Sequence, residues 1–218
     1  MIPVYLLTNN NHLWLLPGFC YLWQKYCRLP VTIFGFDEPD KLPDDFIFES
    51  LGQQLLAQEW SNGLIKLLDK AERYFVLLLE DYWLYHSVDM YSVYQTTRFM
   101  SNDVLRIDLS GNRASYKSAK EIASGLVETP AGTPYQMSFQ AAIWHKDNLR
   151  KVLRENENPW QAEINGSERV GDLRVLGAKT ALLKYQPVWR SQQKRWQLDK
   201  IRTEDLEYMK ARQWLIHP

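Results

Sequence analysis

Phe75-Val-Leu-Leu-Leu79, followed at once by Glu80-Asp81, is the stretch that decides the fold of this 218-residue chain. Five apolar residues in a row, without polar alternation, are typical of a strand that is covered on both faces, as in the middle of a parallel sheet. Helices usually provide that cover on the two faces of such a sheet. The stretch therefore predicts an α/β protein with three layers.

The first eighty residues alternate strand and helix patterns around this stretch. Apolar positions three and four residues apart predict helices, and short β-prone runs that end at Asn, Asp or Pro predict strands. Besides the strand at 73–79, the expected elements are strands at 2–8, 31–36 and 46–49 and helices at 17–27 and 53–71. The order β-α-β-β-α-β predicts a mainly parallel sheet with right-handed crossovers.

The second half has a different character, with more loops and a less regular pattern. Asn158-Pro-Trp-Gln161 predicts a helix start, with Asn158 as the N-cap, Pro159 at the first position and Gln161 completing a capping box. Thr203 is a candidate N-cap for a closing helix. We expect strands at 104–109, 135–143 and 173–185, helices at 88–99, 147–154, 159–165 and 203–215, and loops or small strands at 111–134.

Composition and charge exclude several classes of protein. An aromatic content of 13% argues against disorder, and no apolar run reaches the roughly 18 residues of a membrane span. Lys and Arg balance Asp and Glu at 26 each, which argues against a general nucleic-acid binder. Cys20 and Cys27 are too far apart on a helix for a disulfide. We therefore expect a cytoplasmic protein with reduced thiols, compatible with peripheral membrane contact.

Polar residues follow three of the predicted strands: Thr8, Asp37, and the pair Glu80-Asp81. The carboxyl ends of parallel strands share one edge of the sheet, where α/β proteins bind ligands. We expect these side chains to line one cleft, with Asp37 facing a base or ribose and the acidic pair facing a metal–diphosphate or a sugar. The competing interpretation is that polar residues merely solvate the ends of strands.

A second group of candidates lies in the second half. Trp160 and Glu163 are three residues apart on one helix, so they share a face, and an indole ring beside a carboxylate suits a sugar. The alternative is a core Trp and a solvated Glu. Gln140, among apolar neighbours, points either into a cleft or to solvent. The basic run 184–202, with six Lys or Arg and one acid, either contacts phosphates or forms a solvated surface.

Taken in order, these segments resemble small bacterial or phage-type glycosyltransferases of the GT-A fold. The likeness covers roughly residues 2–185. It is carried by Tyr74-Phe-Val-Leu-Leu-Leu-Glu-Asp-Tyr-Trp-Leu84, Asn102-Asp-Val-Leu-Arg-Ile-Asp108, Ser138-Phe-Gln-Ala-Ala-Ile-Trp144 and Glu157-Asn-Pro-Trp-Gln-Ala-Glu163.

The resemblance implies a nucleotide-diphosphate-sugar donor over the first four strands. The family's Asp-x-Asp metal motif corresponds here to Glu80-Asp81-Tyr82, which leaves Asp81 as the candidate ligand for Mn²⁺ or Mg²⁺. In inverting members an acid at the start of a late helix is the general base, and Glu163 matches it, although Ala162 stands where a second acid is usual. The helix N-terminus should favour the ionised form of Glu163. Substrate contacts then fall to Trp160 and Gln140, and donor contacts to Thr8, Asp37, Glu80 and Asp81.

The resulting prediction is a single GT-A-like domain that transfers a sugar to the hydroxyl of a carbohydrate or lipid-linked acceptor. Residues 1–100 form its donor half, 101–185 its acceptor half and 186–218 a C-terminal extension. One alternative is a sugar- or nucleotide-binding protein that has kept the fold without the chemistry. Another, a nucleotidyltransferase, is disfavoured because the loop after the first strand, residues 8–13, lacks glycine.

Overall fold

The computed structural model describes residues 2–215. Its strands are β1 (Val4–Leu7), β2 (Val31–Gly35), β3 (Phe46–Ser50), β4 (Tyr74–Leu79), β5 (Tyr82–Leu84), β6 (Val104–Asp108), β7 (Lys120–Ala123), β8 (Leu126–Thr129), β9 (Ala142–His145), β10 (Arg174–Ala178), β11 (Tyr185–Pro187), β12 (Trp189–Arg190) and β13 (Arg195–Trp196). Its α-helices are α1 (Leu16–Tyr26), α2 (Trp60–Lys70), α3 (Met90–Thr96), α4 (Lys146–Val152), α5 (Pro159–Glu168) and α6 (Thr203–Ala211).

The central sheet has the strand order β3-β2-β1-β4-β9-β6-β10-β8-β7 within the described residues. The first four strands are mutually parallel, and β4 lies inside the sheet between β1 and β9. Strands β8 and β9 oppose the direction that the other seven share, so the sheet is mainly parallel. The predicted order β-α-β-β-α-β is confirmed, and so is the interior place of the strand at 75–79.

Helices cover both faces of the sheet and create two hydrophobic cores. Successive residues of a strand point to opposite faces, and β1 and β4 follow this rule without a polar interruption. On one face Val4, Leu6, Val76 and Leu78 pack with Phe19 and Leu22 of α1. On the other face Tyr5, Leu7, Phe75 and Leu77 pack with Leu64, Leu67 and Leu68 of α2. The three-layer architecture predicted from the sequence is therefore confirmed.

The close approach of α1 to β5 depends on Gly18. A Cβ added there would lie 2.3 Å from ring atoms of Trp83, closer than carbon atoms can pack. Trp83 is buried and donates its indole N–H to the carbonyl of Glu80 at 3.2 Å. Gly18 thus lets α1 pack closely on Trp83, and Trp83 in turn holds the residues that directly follow β4.

The C-terminal segment, residues 185–211, returns across the sheet edge and is fastened at two places. At one end β11 pairs with β5 in an antiparallel ladder. At the other end Asp205 of α6 is fully buried against α1, where it accepts hydrogen bonds from Tyr21 at 2.8 Å, Tyr26 at 2.7 Å and Lys25 at 2.7 Å. Between these anchors, the backbone N–H of Val188 donates to the carbonyl of Asp81 at 2.9 Å.

Two predicted elements are shorter than expected in the structure. The helix expected at 53–71 begins only at Trp60, because Leu56 is extended and its N–H donates to the Glu59 carboxylate at 3.0 Å. The strand expected at 135–143 is limited to β9. Its first part instead turns sharply at Tyr135, whose φ is +55°, and the carbonyls of residues 134–136 accept from buried arginines.

Further differences concern one strand that is divided in two and the ends of two helices. The strand expected at 173–185 divides into β10 and β11, which belong to different sheets. Helix α5 continues to Glu168 rather than ending near 165, since Gly166 packs inside it with Met137 2.8 Å from where a Cβ would stand. Thr203 is the first residue of α6 rather than its N-cap, and α6 ends at Ala211. In the described part of the chain, no helix has the length and apolar character to span a membrane.

Candidate active site

A cavity of about 1370 Å³ opens at the carboxyl ends of β1 and β4. This volume exceeds that of a typical small-ligand pocket, about 300–1000 Å³, and leaves room for two substrates. Its floor includes Asn9 and His12, which follow β1, and Glu80 and Asp81, which follow β4. The edge of the sheet at which the sequence predicted a cleft therefore carries one.

Glu80 is buried at the base of the cavity and is paired with His12. The Glu80 Oε1 and His12 Nδ1 atoms are 2.6 Å apart, and Asn9 Nδ2 lies 3.1 Å from the same ring nitrogen. Burial opposes ionisation of the imidazole, but Glu80 and Asp81 outweigh it and raise the pKa of His12. The pair links the loop after β1 to the acidic residues after β4.

Asp81 is a half-buried carboxylate that makes no hydrogen bond or ion pair with another described residue. Burial and the adjacent charge of Glu80 raise the pKa of Asp81 to about 7, against the opposing charges of His12 and Arg190. A nearby cation would stabilise the ionised form of such a carboxylate. Among the described residues no group of three or more His, Cys, Asp or Glu side chains could hold a metal ion, so a divalent metal at Asp81 would take its other ligands from substrate phosphates and water, as Mg²⁺ often does.

Tyr82 occupies the position at which the family motif has its third acid, and its side chain is buried. The phenol donates to the carbonyl of Phe139 at 3.1 Å. Burial, followed by the charges of its neighbours, Glu163 and Asp81 among them, raises the pKa of Tyr82 well above its ordinary value. Tyr82 is therefore a neutral hydrogen-bond donor between the acidic pair and α5, unsuited to bind a metal.

Helix α5 begins as the sequence predicted. Asn158 Oδ1 accepts from the Gln161 N–H at 2.9 Å, and Gln161 Oε1 accepts from the Asn158 N–H at 3.0 Å. This capping box and Pro159 fix the helix start, and the next turn places Trp160 and Glu163 on the cavity wall. Trp160 leaves 52% of its surface exposed, which is a large apolar plane for a ligand.

Glu163 is half-buried, and its Oε1 accepts the N–H of Phe139 at 2.6 Å. Burial raises the pKa of Glu163, although Phe139, Ser138 and Arg106 act in the opposite direction. The net direction is opposite to the one expected from the helix N-terminus, because burial is the largest influence on Glu163. As the fifth helical residue, Glu163 also lies beyond the first turn, where the field of the helix end fades. A carboxylate with a raised pKa is a stronger base near neutral pH.

Of the seven site residues predicted from the sequence, five line this one cavity and two lie outside its lining. Glu80, Asp81, Gln140 and Trp160 line it with Glu163. Gln140 is held there by Ser110, whose Oγ donates to Oε1 at 3.0 Å, and by Asn112. Thr8 is buried beneath the loop after β1. Asp37 is exposed at the same edge, where it accepts from Asn10 Nδ2 at 2.7 Å.

Several cavity residues escaped the sequence reasoning. His12 lies in the loop after β1. Thr8 was selected because it follows the carboxyl end of this strand, and the same rule applied to the whole loop would have included His12. Arg106 and Asp108 stand two apart in a strand, so their shared face was a readable signal. Of the basic run 184–202, Arg190 and Arg195 line the cavity.

Comparison with known proteins supplies the class of fold. No protein-family model and no curated protein matches the chain. Among solved structures, the chain is similar to a UDP-glucose pyrophosphorylase, with a TM-score of 0.51, 11% identity, and coverage of 97% of this chain and 100% of that one. It is also similar to the mannosyltransferase PcManGT from Pyrobaculum calidifontis in complex with GDP-Man and Mn²⁺, with a TM-score of 0.52, 11% identity, and coverage of 87% and 57%.

A third similar structure is S. aureus TarS, at a TM-score of 0.49 and 12% identity, with coverage of 84% of this chain. The chain spans 36% of the length of TarS and 57% of that of PcManGT. The chain has a GT-A-like nucleotide-sugar transferase fold, and the fold class inferred from the sequence is confirmed. At these identities the likeness establishes the fold alone.

Proposed function

We propose that the protein is a glycosyltransferase that moves a sugar from a nucleotide-diphosphate sugar to an acceptor hydroxyl with inversion. The observation that carries the proposal is a single cavity with the acidic pair Glu80-Asp81 at its base and Trp160 and Glu163 on its wall. Among the similar folds, one is a UDP-glucose pyrophosphorylase and another holds GDP-Man with Mn²⁺, which supports a nucleotide-sugar donor.

The donor is assigned to residues 1–100, over the carboxyl ends of β1 and β4. Asp81 is the residue that would hold Mn²⁺ or Mg²⁺, since its carboxylate has no other described partner. A metal held there would supply positive charge to the departing diphosphate. Arg190 and Arg195, from the extension 186–218, add fixed positive charge to the wall of the same cavity.

The acceptor is assigned to residues 101–185, beside α5. The acceptor oxygen attacks the anomeric carbon, the bond from that carbon to the diphosphate oxygen breaks, and the diphosphate leaves with the electron pair. Glu163 takes the proton of the attacking hydroxyl. Its hydrogen bond to the N–H of Phe139 fixes the carboxylate orientation, and burial increases its basicity. Trp160 offers its exposed ring to the C–H face of a sugar.

A second candidate function is a sugar- or nucleotide-binding protein without catalysis. The observation that favours it is Tyr82, which is buried and hydrogen-bonded where the family motif has a metal-binding acid. A nucleotidyltransferase is a third candidate, since the similar UDP-glucose pyrophosphorylase is one. The loop after β1 disfavours it, because this loop forms a 3-10 helix, Asn10–Leu15, without the glycine residues of a phosphate-binding loop.

Donor binding and turnover together distinguish these candidates. We would titrate a panel of UDP- and GDP-sugars by calorimetry with and without Mn²⁺, and measure release of the nucleoside diphosphate. We expect one donor to bind, Mn²⁺ to strengthen binding, and Asp81→Asn to weaken it at least tenfold. The control is Asp44→Asn, which removes an exposed acid outside the cavity. Binding without turnover, with any acceptor class offered, would favour the second candidate, and no binding would contradict both.

A further inference from the structure

Three buried charged side chains form one wall of the cavity. Arg106 and Asp108 of β6 are each 1% exposed, and Arg113, in the 3-10 helix Asn112–Ser115, is 2% exposed. Arg106 Nη1 and Asp108 Oδ2 form an ion pair at 3.2 Å. Only Arg106 is paired with the carboxylate, and the three side chains together carry one positive charge in excess.

Uncharged oxygen atoms solvate Arg113. Nη1 donates to the carbonyls of Pro134 at 3.1 Å and Tyr135 at 3.0 Å, while Nε and Nη2 donate to Thr129 and Nη2 also donates to Gln136. Among the described residues no carboxylate forms an ion pair with it. Burial, and then the charge of Arg106, lowers the pKa of Arg113 to about 10. It remains charged at neutral pH in a place where an unpaired charge is costly.

The fold makes specific room for this arrangement. A Cβ at Gly177 of β10 would lie 2.5 Å from the Cβ of Arg113, so glycine is needed there for the arginine stem to pass. Both guanidinium groups donate to the carbonyl of Tyr135, from Arg106 Nη2 at 3.3 Å and from Arg113 Nη1 at 3.0 Å. Tyr135 has a φ of +55°, a strained conformation for a residue with a side chain.

The strained turn presents the Tyr135 ring to the cavity with 55% of the residue exposed. Arg106 keeps donor capacity, whereas the five N–H groups of Arg113 are all used. A guanidinium has five N–H groups, and three of those of Arg106 are used, by Gln136, Asp108 and Tyr135. Arg106 is close enough to Glu163 for its charge to oppose the rise in the pKa of that carboxyl. A ligand beside Arg106 is thus also near Glu163.

We propose that the acceptor carries an anionic group, a carboxylate or a phosphate, which binds beside Arg106 and Arg113 with its sugar ring against Tyr135. The inference rests on the proposed function in one respect, that the anion belongs to the acceptor. The anion supplies the counter-charge that the cluster lacks. The anion can accept charge-assisted hydrogen bonds, the stronger kind, from the two N–H groups that Arg106 has left. Arg113 contributes its charge, since all five of its N–H groups already donate to protein oxygens.

The test compares ligands that differ in one group. We would measure binding of p-nitrophenyl β-D-glucuronide against p-nitrophenyl β-D-glucoside, and of glucose 6-phosphate against glucose, by ligand-observed NMR titration of the full chain. We expect each anionic ligand to bind at least tenfold more tightly than its neutral partner, with a preference that weakens as salt rises. The two pairs distinguish a carboxylate from a phosphate. Neither measurement requires a donor or turnover, so it can fail independently of the glycosyltransferase proposal.

Two variants of the cluster and one control variant locate the effect. Asp108→Asn removes the only carboxylate of the cluster at nearly constant shape, and we expect the anion preference to rise several-fold. Asp103→Asn removes an exposed acid just before β6, and should change nothing. Arg106→Lys keeps the positive charge but loses the planar guanidinium with its several N–H donors, and it should reduce the preference for the anionic ligand. A thermal melt checks that this variant folds. Equal affinity for charged and neutral ligands in the parent protein would overturn the proposal, as would equal responses to Asp108→Asn and Asp103→Asn.

Discussion

Replacement of Glu163 by Gln tests the chemical step directly. The amide has almost the shape of the carboxylate, and its oxygen can still accept the N–H of Phe139, now 2.6 Å from Glu163 Oε1. Helix α5 keeps its capping box, which involves other residues. What is lost is the ability to take a proton. We therefore expect donor binding to stay intact while sugar transfer slows.

The size of the effect follows from the environment of the carboxylate. General-base assistance contributes about 10²–10⁴-fold to a rate, and each tenfold change corresponds to about 1.4 kcal/mol in the activation free energy. Burial raises the pKa of Glu163 and makes it more basic than an exposed Glu. We therefore expect a loss in the upper half of that range, roughly 10³-fold or more.

The assay is release of the nucleoside diphosphate at saturating donor, with the dissociation constant of the donor measured separately by calorimetry. The matched control is Glu168→Gln, an exposed acid near the end of the same helix, which should leave both quantities unchanged. A Glu163→Gln variant that turns over at the parent rate would remove Glu163 from the mechanism. A variant that loses donor binding would show that the carboxylate supports the donor instead.

Three further outcomes follow from the structure. Because burial raises the pKa of Glu163 and a base must be ionised, the acid limb of kcat/KM should lie at higher pH than that of an ordinary Glu; a limb at or below about pH 4.3 would contradict this. Asp205→Ala should cost about 1–3 kcal/mol of unfolding free energy in urea melts, since it leaves the buried hydroxyl of Tyr26 without its acceptor, while the partly exposed Lys25 can turn to water; a cost under about 0.5 kcal/mol would show that the cluster contributes little. Gly18→Ala should cost about 1–3 kcal/mol through its clash with Trp83, and an unchanged melting temperature would mean that α1 shifts freely.

Much of the fold could be predicted from local sequence patterns. The unbroken apolar run of β4 and the helical spacing in α1 and α2 were enough to order the first half, because each element buries a face that its own residues define. The cap of α5 was equally readable, since Asn158, Pro159 and Gln161 satisfy each other's backbone within one turn. These features depend on neighbours in sequence and not on distant contacts.

The features that the sequence did not predict depend on contacts between residues far apart in the chain. The turn at Tyr135 replaces a strand because the guanidinium groups of Arg106 and Arg113, 29 and 22 residues earlier in the chain, donate to its carbonyl. The pairing of His12 with Glu80 joins residues 68 positions apart, and no local pattern announces it. The edge rule for parallel strands did place Glu80 and Asp81, and helical spacing placed Trp160 and Glu163. Neither rule predicts the buried charges of Arg106 and Arg113, which lie on the wall of the same cavity.

The two anchors of the C-terminal segment have a consequence for the entropy of the binding cavity. Trp189, Arg190 and Trp196 belong to the cavity wall, yet they sit on a short stretch held between the β5–β11 ladder and Asp205. A chain fixed at both ends explores far less volume than one fixed at a single end, so the wall is kept at a high effective concentration over the donor half. Loosening Asp205 would free one end of this stretch and leave Trp189 and Trp196 held by their packing on Trp14 and Trp83. Part of the entropy cost of ordering the wall would then fall on ligand binding.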